Sequence, residues 1–217
     1  MRVLSSVESR GRERSIVYAR RVRWDTFLED LGSRVDVVKG PDRAGPGRDD
    51  LRLRAAHTPL SERLRALCEA QRPASVALID GTTLAGRLRA VGADWLAIAD
   101  EASPCGLWLV PFASLVAVGL AQAEVRDSLR DATSSGGARM LWAMVMRDLA
   151  RRRVPVSVQV RGSRLLTGTI DRVGADHLDL ALHDAAAFRR AGAVHGHRLV
   201  ALAAIVWLRP DAHVAGR

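Results

Sequence analysis

The pattern Val-Gly-Ala-Asp-x-Leu occurs twice, at 91–96 and again at 173–178. A chain that carries one supersecondary unit twice folds as two similar halves, and this limits the architecture more than any composition value does. The likeness extends on both sides. Pro73-Ala-Ser-Val-Ala-Leu-Ile-Asp-Gly81 matches Pro155-Val-Ser-Val-Gln-Val-Arg-Gly162, and Gly86-Arg-Leu88 matches Gly168-Thr-Ile170. The closing blocks also match, Leu109-Val-Pro-Phe-Ala-Ser-Leu-Val-Ala-Val118 against Leu199-Val-Ala-Leu-Ala-Ala-Ile-Val-Trp-Leu208.

Each repeat alternates with a period of two. Val76 and Leu78 share one strand face, as Val158 and Val160 do in the second copy. Gly81 and Gly162 stand where a tight turn needs a backbone without Cβ. Gly86 and Gly168 predict a bend or bulge inside the next strand. Val-Gly-Ala-Asp makes the following turn, and Leu96 and Ile98 open the third strand. With two strands from each closing block, every repeat is expected to form a small five-stranded barrel. A helix precedes each one. Thr58 and Pro59 start the first, with Leu60, Leu64 and Leu67 as its apolar stripe. Trp142, Val145, Met146 and Leu149 form the stripe of the second, and the methionines from Met140 to Met146 read as core. Each helix stops before Pro73 or Pro155, since the residue before proline disfavours helical geometry.

The resulting organisation is mainly β with α. An N-terminal arm covers 1–57, the first barrel 58–120, a connector 121–136, the second barrel 137–210 and a tail 211–217. Trp24, Phe27, Leu28 and Leu31 have helical spacing in the arm, and a linker rich in Gly and Pro follows at 39–47. The second repeat carries an inserted loop, Leu182 to His197. The uncharged stretch from Ala102 to Ala123 is long enough for a membrane span, but Pro104, Gly106, Pro111 and Gly119 interrupt it, so two strands are expected and no membrane partner. Residues 1–23 show no apolar run bounded by a cleavage site, so no signal peptide is expected. Two cysteines, Cys68 and Cys105, fit a reducing cytosol better than a disulfide framework.

The repeats resemble the Sm-like family, the Sm, LSm and Hfq proteins, in having a helix, a bent five-strand unit and an Asp-Gly-x(4)-Gly-x-Leu core at Asp80 to Leu88. The likeness covers about Thr58 to Leu120 and Gly137 to Pro210. The whole chain is also similar to uncharacterised proteins of high-GC bacteria, which share a start like Arg23-Trp24-Asp25 and the paired Val-Gly-Ala-Asp units. The Sm resemblance implies RNA binding and oligomers built by pairing barrel edge strands. Its uridine pocket does not carry over. Gly92 and Gly174 stand in place of the base-contacting Asp, Leu96 and Leu178 in place of the Asn, and the Arg-Gly of the second motif is missing near Ala117-Val118 and Trp207-Leu208.

The net charge of +9 is uneven. Residues 59–120 carry 5 basic and 6 acidic side chains, whereas 121–217 carry 15 and 9. Only Lys39 is lysine, so codon bias explains why the cations are arginine but not where they sit. Arg151, Arg152 and Arg153 supply dense guanidinium donors for phosphate, or simply complement a helix C-terminus. Arg161, Arg164, Arg172, Arg189, Arg190 and Arg198 are the loop and strand-edge candidates, against the alternative of an ordinary solvated surface. Trp95 and His177 occupy equivalent positions where a ring either stacks on a base or covers the barrel end. His183, His195 and His197 have spacing that allows a metal, but no metal or other cofactor is expected, because no cysteine lies near them. No phosphate-cradling Gly-rich loop, nucleophile elbow or metalloprotease helix is present, so no enzyme is expected. The leading expectation is a non-catalytic cytoplasmic protein that binds RNA or DNA. The alternative is an assembly module that joins a further copy or a protein partner through barrel edges.

Overall fold

A computed structural model describes residues 48–100, 106–130, 132, 139–162, 165–184 and 194–211. The expected helix at Trp24 to Leu31, the linker at 39–47, and Arg164, Arg189 and Arg190 lie outside the described residues.

The chain enters through two helices, α1 (Arg48–His57) and α2 (Leu60–Glu69). The sequence reading missed α1 because its polar run, Arg-Asp-Asp-Leu-Arg-Leu-Arg, has no apolar stripe. Thr58 does not cap α2 as expected. Its hydroxyl donates to the Arg54 carbonyl at 2.7 Å and closes α1, while Pro59 takes the N-cap position of α2. Leu64 and Leu67 are buried as expected, but Leu60 faces solvent in the first turn.

The first repeat then forms β1 (Pro73–Leu78), β2 (Thr83–Val91), β3 (Trp95–Asp100), β4 (Leu107–Pro111) and β5 (Leu115–Gly119). A short helix α3 (Gln122–Asp127) stands in the connector, and α4 (Trp142–Arg151) opens the second repeat. Its strands are β6 (Pro155–Val160), β7 (Leu166–Val173), β8 (His177–Leu182), β9 (Gly196–Ala201) and β10 (Ile205–Pro210). Four apolar residues of α4, Trp142, Val145, Met146 and Leu149, are buried on one side as their spacing predicts. The repeat reaches the details of the backbone. Gln71 and Arg153 end their helices at φ 51° and 54°, and Gly81 and Gly162 turn at φ 85° and 63°. The register shift between Leu88 and Ala90 recurs between Ile170 and Arg172. Gly168 has its own reason. A Cβ there would overlap the carbonyl oxygen of Ala181 on the neighbouring strand.

The chain is mainly β with α as expected, but two tandem five-stranded barrels are not seen, because the sheet is not closed. All ten strands form one open antiparallel sheet in the order β5-β1-β2-β3-β4-β10-β6-β7-β8-β9. Strand β4 does not curl back onto β5. It pairs with β10, with Leu109 opposite Leu208, so each half is continued by the other. The two cores are interleaved at this junction. Leu107 and Leu109 from β4, with Trp95 and Ala97 from β3, pack in the core under α4. Val206 and Trp207 from β10 pack in the core under α2. Trp108 and Trp207 meet edge to face at 4.5 Å across the seam, the geometry aromatic quadrupoles favour. Ser114 donates to the Val206 carbonyl at 2.6 Å, and Arg161 to the Ala113 carbonyl at 2.9 Å.

Candidate functional site

The arginine surplus of the second half begins at the end of α4. Asp148 lies one turn back and holds both Arg151 and Arg152, the latter through Nε at 2.7 Å. Arg153 turns in the left-handed conformation that ends the helix, and its Nη1 reaches Asp171 on β7 at 3.0 Å. Asp171 also has the His197 ring of β9 at 3.7 Å, so one carboxylate faces groups from a helix end and an edge strand.

Around Asp171 lies an open depression of ≈370 Å³, lined by Asp171, Arg172, Asp179, His197, Arg198 and Leu199. Strand register builds it. Arg172 is opposite Asp179 on β8, and Asp179 is opposite Leu199 on β9. Neighbours in a regular strand point to opposite faces. The register shift after Ile170 breaks that alternation, and both Asp171 and Arg172 line the depression. Arg172 and Arg198 share this depression with Asp171 and Asp179, and Arg153 reaches Asp171 from the end of α4. Three guanidinium groups stand against two carboxylates, and Asp171 fixes the orientation of Arg153. Guanidinium forks held this way present planar donor pairs to phosphate or carboxylate oxygens.

The other candidates are placed elsewhere. Trp95 is 2% exposed, and its Nε1 donates to the Met140 carbonyl at 3.0 Å, so no ring face is free for a base. Its turn serves the second half instead. Asp94 accepts the Trp142 amide at 2.7 Å and so caps α4. His177 is exposed at the equivalent turn, and its Nδ1 pairs with Asp176 at 2.8 Å. That hydrogen bond, with the charge of the ring, holds the Asp176 carboxyl below the usual carboxylate range. Arg161 is committed to the junction. His183 is buried, with Nε2 on the Thr169 hydroxyl at 2.7 Å, and His195 lies 3.8 Å from Asp184. The histidines therefore go to separate partners, and among the described residues no three donors are grouped to hold a metal.

The sequence does not single out Asp171 or Asp179, and His197 enters only as one of three histidines at which no metal is expected. A position-by-position comparison of the repeats exposes them. The first copy has Ala90, Ala97, Leu107 and Trp108 where the second has Arg172, Asp179, His197 and Arg198. In the first set Leu107 and Trp108 lie on β4, next to β10, whereas in the second His197 and Arg198 lie on β9 at the end of the sheet. Among the described residues no helix is long and apolar enough to cross a membrane. Compared with known proteins, the chain matches no family model, no curated protein and no solved structure.

Proposed function

We propose that this is a non-catalytic, cytoplasmic nucleic-acid-binding protein, and that its second half holds the phosphate backbone. The observation that carries this reading is the depression lined by Arg172 and Arg198, with Arg153 and His197 beside its Asp171, which the first repeat lacks. The resemblance of the two repeats to Sm-like units, for which RNA is the implied ligand, supports the same reading. Binding rests on backbone charge and not on the family's uridine pocket, whose residues this chain does not have. Single-stranded RNA and DNA of mixed sequence therefore bind with similar affinity, and affinity falls steeply with salt.

The test is fluorescence anisotropy with labelled oligonucleotides, after nuclease and high-salt washing of the purified protein. The pair Arg172→Glu and Arg198→Glu weakens binding by about tenfold or more, because each reversal replaces a counterion-releasing contact with repulsion. Arg89→Glu in the first half leaves it unchanged. No binding at low salt, or equal loss from Arg89→Glu, overturns the reading.

A further inference from the structure

The two ends of the ten-stranded sheet are chemically different. At one end β9 carries His197 and Arg198, with Arg172 and Asp179 beside them, and charges on an edge strand discourage further pairing. At the other end β5 reads Leu-Val-Ala-Val-Gly and has no charged residue. Val116 is 64% exposed there, and Ile79, which follows the neighbouring strand β1, is 41% exposed. The matching positions of the second repeat show what such a strand does when it has a neighbour. Val206, the counterpart of Val116, is 0% exposed because β10 is paired with β4 and packs into the opposite core.

We propose that β5 is a homodimer interface, at which the β5 strand of a second copy adds antiparallel and continues the sheet. Two five-residue strands centred on Ala117 place Val116 opposite Val118 of the second copy, and Val118 opposite its Val116. The identical uncharged strand thus supplies both cross-strand apolar pairs and backbone partners for an edge that is unpaired among the described residues. Head-to-tail pairing of β9 on β5 fits worse. In the internal junction β4 presents Leu107 and Trp108, whereas β9 has His197 and Arg198 at those positions, and taking a guanidinium and a polar ring out of water is costly. The two-fold arrangement also leaves the basic depression at the far end open.

Sedimentation equilibrium of the nuclease-treated full chain tests this. A monomer–dimer equilibrium is expected. Val116→Glu raises the dissociation constant about tenfold or more, by placing two carboxylates in the edge pairing, while Leu199→Glu leaves it unchanged. Independently, Ala117→Cys in a Cys68→Ala, Cys105→Ala background forms a disulfide-linked dimer with oxidised glutathione, because only a two-fold β5 contact brings residue 117 to its own copy. A monomer at every concentration overturns the proposal. So does a Leu199→Glu chain that dissociates like Val116→Glu, which indicates head-to-tail pairing, or a dimer without the 117 cross-link, which places the contact elsewhere.

Discussion

Cys68 sits on α2 with its thiol against the Leu88 carbonyl at 3.5 Å. Burial first, and then the neighbouring Glu69 carboxylate, push this thiol up to about 11, against a smaller opposing pull from Arg89. In a Cys105→Ala chain, alkylation by iodoacetamide at neutral pH is expected to be much slower than that of the same chain in denaturant. Equal rates would contradict a half-buried, protonated thiol. The sign for stability follows. The unfolded chain releases this proton near 9.0, before the folded one does, so stability falls as pH rises from there towards about 11. At the same scale Trp95 and His177 show what a sequence conceals. Their equivalence is plain from the two Val-Gly-Ala-Asp turns, but one is buried under α4 and the other is exposed. Only the packing of the next element decides which.

The strands were readable because each is bounded by its own signal. Gly81 and Gly162 mark turns that need positive φ, and Val76 and Val158 mark the buried face. Two glycines can look alike in sequence and still differ in consequence. Gly162→Ala meets open space and costs only the left-handed backbone strain, about 1 kcal/mol. Gly168→Ala drives a Cβ into the Ala181 carbonyl and is expected to cost about 3 kcal/mol by overpacking. Urea denaturation of the two variants checks the order, and a more damaging Gly162→Ala would show that the β7–β8 approach is looser than described. The missed helix α1 and the misassigned Thr58 belong to this scale too. A polar helix leaves no periodic trace, and a threonine before proline can close the preceding helix as well as start the next.

The whole molecule does not divide into a first and a second core that unfold separately. Leu107 and Leu109 complete the core under α4, and Val206 and Trp207 complete the core under α2. A single unfolding transition is therefore expected. Far-ultraviolet circular dichroism and tryptophan fluorescence should coincide in urea, with Trp95, Trp108, Trp142 and Trp207 all buried or half-buried near the shared region. Two resolved transitions would mean that the halves fold alone. The sequence by itself determined the repeat, the identity of most strands and turns, the two amphipathic helices and the concentration of arginine in the second half. These are local properties, set by side-chain period, by glycine geometry and by composition. Only the tertiary structure decided that the two units merge into one open sheet. It also decided that Arg153 and His197 meet at Asp171 beside Arg172 and Arg198, and that among the described residues β5 and β9 are the ends left unpaired. Each of these depends on which strand β4 chooses, and β5 and β10 both offer β4 an extended backbone edge. The choice rests on the long-range packing of Trp207 and Val206 against Trp108 and the first core, which no local pattern encodes.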